Sequence, residues 1–163
     1  MTNIKKDNCR GCPSEKRARN GKAVVIIECF EEIPCNPCET VCPFGAIKVG
    51  EPITNIPVLN EAQCVGCGRC ISVCPGLAIS VLNYNYNENE AALTVPFEFL
   101  PLPENREEII AVDIKGKYVA QGKIVRVIPQ EKNNRTSLIT FSFPRKFYKK
   151  VRFFRRKNEK KEE

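Results

Sequence analysis

Histidine and tryptophan are absent from the 163 residues, and methionine occurs once. Without histidine the chain lacks the commonest general base near neutral pH and the commonest metal ligand. Rieske-type ligation, which needs two histidines on one iron, is excluded. No Gly-rich phosphate loop occurs, and no Ser or Cys nucleophile stands with an evident base. No apolar stretch of about 18 residues exists, so no membrane-spanning helix is expected. The opening Met1-Thr2-Asn3-Ile4-Lys5-Lys6-Asp7 has no apolar region behind its charges, so no secretory signal is expected. These absences leave little equipment for bond chemistry and point to electron movement.

Cysteine is present in excess, ten residues in all. In a chain read as non-secreted, this favours metal ligation over disulfides and a cytoplasmic setting. The most specific pattern is Cys64-x2-Cys67-x2-Cys70-x3-Cys74-Pro75. Bacterial-type ferredoxins use this run to hold cubane iron–sulfur clusters. Three thiolates grip one cluster and the fourth serves the other in two-cluster proteins. Pro75 ends the helical turn and releases the chain toward a strand. Structural zinc is the plain alternative, but its motifs usually come as two separated Cys pairs.

A second copy lies 32 residues upstream. Cys35, Cys38, Cys42 and Pro43 align with Cys67, Cys70, Cys74 and Pro75, and Ala46-Ile47-Lys48-Val49 aligns with Ala78-Ile79-Ser80-Val81. The repeat departs at its first ligand. The counterpart of Cys64 is Glu32, and the nearest upstream cysteine is Cys29. In one reading Cys29 swings in on the longer loop, stiffened by Pro34 and Pro37. The chain then holds two [4Fe-4S] clusters, one on Cys29, Cys35, Cys38 and Cys74, the other on Cys64, Cys67, Cys70 and Cys42. In the other reading the first site lacks a fourth thiolate and holds three irons, or takes another ligand such as Glu32. Cys9 and Cys12 remain, as Cys9-x2-Cys12. They form free thiols, a disulfide or redox pair, or part of an extra metal or cluster site shared with a partner.

The formal charge of +7 is unevenly spread. Residues 23–100 hold Lys48 and Arg69 against nine glutamates, a net of −7. Residues 5–22 carry a net of +5, and residues 145–163 carry +7. Thiolates bound to oxidised cubanes would make the centre more acidic still. The pattern predicts a basic N-terminal arm (1–22), a dicluster ferredoxin module (23–83), a small β-domain (84–144) and a basic C-terminal tail (145–163). The expected class is α+β, a ferredoxin-like dicluster module with pseudo-twofold symmetry followed by a small all-β domain.

Within the module, residues 23–27, 47–49, 58–60 and 79–82 read as strands, with a short helix after each cluster loop. Residues 83–90 read as a polar linker or hairpin tip. Lys115-Gly116-Lys117 sits between β-branched runs as a hairpin signal. Four to five short strands in this half suggest a small barrel or curled sheet. Gly66 and Gly68 read as letting the loop backbone approach a cluster. Val41, Ile47, Val65, Ile71, Val73 and Ile79 read as packing that keeps water out. The tail interleaves Phe147, Tyr148, Phe153 and Phe154 with basic residues. Such a pattern can meet nucleic acid, but no nucleic-acid fold accompanies it, and docking on protein is the favoured reading.

Glu28-Cys29-Phe30-Glu31-Glu32-Ile33-Pro34-Cys35-Asn36-Pro37-Cys38-Glu39, Pro52–Leu59, Cys74–Ile79, Phe97–Pro103 and Gly122–Val127 carry a further likeness. Over residues 23–144 the chain resembles the small ferredoxin-like subunit of FAD-dependent amine and amino-acid dehydrogenases, of the proline, hydroxyproline, opine dehydrogenase or hydrogen cyanide synthase type. The resemblance implies Cys29 as a ligand on a long first loop. It also implies a non-catalytic electron-transfer subunit in a hetero-oligomer with FAD-containing partners. A free-standing ferredoxin is the alternative, and a cluster-containing nucleic-acid-binding or regulatory protein the remaining one.

Overall fold

The computed structural model describes residues 11–133 and 135–157. The elements, in chain order, are α1 (Glu15–Arg19), β1 (Val24–Ile27), α2 (Pro37–Val41), β2 (Ile47–Lys48), β3 (Val58–Leu59), α3 (Arg69–Ser72) and β4 (Ile79–Asn83). There follow β5 (Glu90–Phe97), β6 (Glu108–Val112), β7 (Tyr118–Ile128), β8 (Ser137–Pro144) and β9 (Phe153–Arg156). One antiparallel sheet of seven strands runs in the order β1-β4-β5-β8-β7-β6-β9, and β2 and β3 form a separate pair.

The sheet passes from the cysteine-rich half into the second half without a break. Residues 83–90 turn as a hairpin tip, because β4 pairs antiparallel with β5, Val81 opposite Thr94 and Leu82 opposite Leu93. The Asn87 side-chain oxygen accepts the N–H groups of Asn89 and Glu90, an Asx turn that fixes the reversal. The Lys115-Gly116-Lys117 signal lies in the β6–β7 hairpin, with Gly116 at φ +74°. The second half contributes to an open, seven-stranded sheet in which β9 is one end strand.

The core follows from the alternating and double-sided apolar runs. Leu82, Leu93, Ile109, Ile124, Ile139, Phe141 and Phe143 are fully buried. Phe97, Phe153 and Phe154 stack on one another and Phe141 meets Phe154 at a tilt, with ring centroids 5.2–6.2 Å apart. The tail expected to dock on protein thus supplies a strand of this chain's own sheet. Its aromatics pack on this chain's own sheet, and its charges find acidic partners: Arg156 with Glu107, Lys157 with Glu108, Arg152 with Glu28. Tail and partners lie far apart in sequence, so their complementarity shows there only as composition.

Residues 1–22 read as irregular. Residues 1–10 lie outside the described residues, and 15–19 form a helical turn. The Ser14 hydroxyl caps it by accepting from Arg17 N–H, and Ala18 is buried beneath it. Among the described residues no helix is long and apolar enough to cross a membrane.

Candidate metal centre

All eight cysteines of the doubled motif lie between β1 and β4 and carry free thiols. The local geometry repeats with the 32-residue offset of the sequence. Pro37 opens α2. The Ala46 N–H donates to Cys42 Sγ at 3.3 Å, and the Ala78 N–H donates to Cys74 Sγ at 3.4 Å. Gly45 and Leu77, one offset apart, both adopt a left-handed backbone, φ +59° and +50°. Each Cys-Pro-x-x-Ala corner therefore folds its backbone around its own sulfur, the usual way a protein stabilises a thiolate ligand.

Electrostatics show which thiols are neighbours. Burial raises the pKa of Cys29, and the nearby Cys74 and Cys35 raise it further. Burial pushes Cys38 up to about 11, with Cys74 and Cys35 adding to it. Cys29, Cys35, Cys38 and Cys74 are thus brought together. Burial pushes Cys70 up to about 12, with Cys67, Cys64 and then Cys38 adding. That makes Cys64, Cys67 and Cys70 a second group. Cys42 behaves differently. Burial pushes it up, but the N–H groups of Ala46, Phe44, Ile47 and Gly45 together outweigh it and leave the pKa lowered. Its place with the second group rests on the repeat. Ligation would displace protons from the raised thiols, since the metal binds thiolate.

Cys38, Cys64 and Cys70 are buried and Cys67 is exposed. Among the described residues no three His, Cys, Asp or Glu side chains close around one ion position. Ile47, Ile71 and Ile79 seal the region as expected, but Val65 is 47% exposed and faces outward.

Gly66 also meets a close neighbour within the chain itself. A Cβ there would lie 2.5 Å from the Ala23 carbonyl carbon, so the second loop packs directly on the chain leading into β1. Gly68 starts α3 with φ +77°. Two buried arginines escape a reading of the sequence. Arg17 donates to the carbonyl of Cys64 at 2.7 Å. Arg152 donates to the Glu28 carboxylate at 2.7 Å, one residue before Cys29. Burial raises the pKa of Glu28, against the lowering influence of Arg152. The available signal for Arg17 is Ser14 as a helix cap, obscured by the shortness of the turn. Arg152 sits 124 residues from its partner, beyond any local pattern. Arg152 also donates to Cys12 Sγ at 2.7 Å, and Cys12 is disulfide-bonded. Cys9, its companion in the motif, lies outside the described residues.

Residues 29–85 match the LdpA Fe-S cluster-binding domain. This part of the chain is therefore similar to iron–sulfur cluster-binding, ferredoxin-like domains. The chain is 37% identical over 70 residues to a subunit of the ion-translocating oxidoreductase complex of Methanosarcina acetivorans, covering 43% of this chain and 24% of that protein. It is 36% identical over 88 residues to an uncharacterised ferredoxin of Methanocaldococcus jannaschii, covering 48% of this chain and 51% of the relative. It is 42% identical over 45 residues to the polyferredoxin-like subunit of the aliphatic sulfonate oxidoreductase of Pyrococcus furiosus, covering 28% and 25%. The chain thus spans about half or less of the length of these relatives. No solved structure gives a significant match.

Proposed function

We propose that the protein is an electron-transfer subunit holding two [4Fe-4S] clusters within a multi-subunit, flavin-dependent dehydrogenase acting on an amine or amino acid such as proline. The observation that carries the iron–sulfur part is the doubled cysteine motif with all eight thiols free between β1 and β4. Cys29, Cys35, Cys38 and Cys74 would hold one cluster, and Cys64, Cys67, Cys70 and Cys42 the other. The neighbour relations of Cys29 with Cys74 and Cys35 support Cys29 as the fourth ligand of the first.

A bound cluster of this kind supplies one-electron transfer, at a potential tuned by ligation, hydrogen bonds to sulfur and burial. The chain's own residues fix those levers. Ala46 and Ala78 donate to ligand sulfurs. Ile47, Ile71 and Ile79 exclude water. The exposed Cys67 marks the side nearest solvent and so nearest an incoming partner. The proposed division into arm, dicluster module, β-region and tail fits a docked subunit, because a diffusible carrier needs no seven-stranded sheet. The flavoenzyme partner rests on the likeness of the segments around the ligands. Relatives that are subunits of oxidoreductase complexes support a complex-bound role. The ferredoxin relative supports the second reading, a free-standing carrier.

Anaerobic purification from the native source, with iron analysis and EPR on the co-eluting material, tests the proposal. About eight irons per chain, coupled reduced cubane signals and a flavin-bearing partner are expected. A chain without cubane signals would sink the cluster reading. Full iron with no partner would leave the free-standing carrier in its place.

A further inference from the structure

Two arginines are the buried charged residues among those described, and each braces the start of one cysteine group. Arg152, 8% exposed, reaches Glu28 beside Cys29 and is neutralised by that carboxylate. Arg17, 7% exposed, reaches the second group. All five of its N–H donors are used. Nε donates to the Glu61 carbonyl at 2.9 Å, and Nη1 to Asn20 Oδ1 at 2.9 Å and the Lys22 carbonyl at 2.8 Å. Nη2 donates to the carbonyls of Ala23 at 2.9 Å and Cys64 at 2.7 Å.

Every one of these acceptors is a neutral oxygen. The Glu61 carboxylate is turned to Ser14 instead, accepting its N–H and hydroxyl. Among the described residues Arg17 makes no ion pair, whereas Arg152 does. A buried guanidinium cannot shed its charge by losing a proton. An uncompensated buried charge is costly unless an opposite potential faces it. Cys64, Cys67 and Cys70 lie beyond the carbonyl that Arg17 grips, and their thiolates are the available anionic group.

We propose that Arg17 is a positioning residue that raises the reduction potential of the cluster held by Cys64, Cys67 and Cys70, and that its lack of a carboxylate partner is what makes the two clusters unequal. Reduction adds negative charge, and a fixed cation behind the ligand loop stabilises the reduced state. The neutralised Arg152–Glu28 pair gives the other cluster no such bias. The inference rests on the dicluster reading above.

Asn20→Asp is the decisive variant. It places a carboxylate on the oxygen that Arg17 already holds, cancelling the charge while keeping the grip. Arg17→Gln removes charge and grip together, and Arg17→Lys keeps charge alone. EPR-monitored redox titration of the full-length holoprotein reads both potentials. The signal is assigned to the Cys64 loop by its alteration in Cys67→Ser. Asn20→Asp and Arg17→Gln should each shift that cluster's redox equilibrium about tenfold toward the oxidised form, about 59 mV for one electron. The other cluster should stay in place. Arg17→Lys should shift it less than either. Asn20→Asp protein that retains full iron with both potentials unmoved overturns the role of Arg17, whatever Arg17→Gln does. Wild-type protein without cubane signals overturns the functional reading beneath it.

Discussion

Three glycines in the metal region allow the packing argument to be measured, because their surroundings differ while their chemistry does not. Gly66 has φ +66°, and a Cβ would lie 2.5–2.6 Å from the carbonyl carbon, carbonyl oxygen and Cβ of Ala23. Gly45 has φ +59° with nothing within 4 Å. Gly76 has neither a left-handed backbone nor a near neighbour. Alanine at Gly45 should therefore cost the dihedral penalty alone, about 1 kcal/mol. Alanine at Gly66 adds the displacement of backbone atoms, for which overpacking costs about 1–3 kcal/mol more. Its sum is about 2–4 kcal/mol. Alanine at Gly76 should be near neutral. For a chain of this size each kcal/mol moves the thermal midpoint by about 2–4 °C. Apparent midpoints of the three holoproteins, scanned anaerobically at one rate, should fall in the order Gly76→Ala, Gly45→Ala, Gly66→Ala. Gly66→Ala should also lose cluster iron, because the loop is levered off the chain that leads into β1. Equal midpoints for Gly45→Ala and Gly66→Ala would refute the close approach to Ala23 as the reason for glycine there.

Other outcomes follow from the same contacts. Cys29→Ser should lower iron from about eight to about seven per chain and give an oxidised three-iron EPR signal; unchanged iron and spectra would remove Cys29 from the ligand set. Phe141→Ala empties a fully buried aromatic site where Phe143 and Phe154 also meet. It should cost about 3–5 kcal/mol in denaturant unfolding. Burial pushes the pKa of Glu107 up, but Arg156 and the Glu104 N–H overcome this and leave it lowered. Its stabilisation is present above the unfolded value of about 4.3 and is lost as pH falls through the lower folded value. The midpoint gap between wild type and Glu107→Gln should hold at neutral pH and close under acid; a gap that is constant with pH would discount the ion pair.

The cluster half was legible because its signals are local. Four-cysteine spacing, trailing prolines and β-branched runs lie within a few residues of one another, and β1, β2, β3 and β4 formed where those runs stood. The second half was legible as strands but not as a sheet. The β6–β7 hairpin announces itself through Lys115-Gly116-Lys117, but β9 pairs with β6 across more than 40 residues, Phe154 opposite Ala111. Alternation along a strand fixes its faces and says nothing of its neighbour. The basic ends misled for a related reason. A run of charge reads as solvated, yet Arg17 and Arg152 are buried because each meets oxygens supplied by segments distant in sequence. Gly66 stood out as special, and it also approaches Ala23, a partner that spacing does not name.

β1 is an end strand of the sheet, and among the described residues β4 is its one ladder partner. All eight free cysteines fall on the excursion between those two strands, from Ile27 to Ile79. A filled metal centre ties that excursion shut at several points, whereas an emptied one leaves a long open loop whose closure rests on a single ladder. Loss of iron and fraying of the edge strand are then one event. A frayed edge offers proteases an extended backbone and offers other chains a strand to pair with. On the proposed cluster reading, the lifetime of this protein in a cell would track the lifetime of the bound iron–sulfur groups, with emptied copies cleared while loaded copies persist.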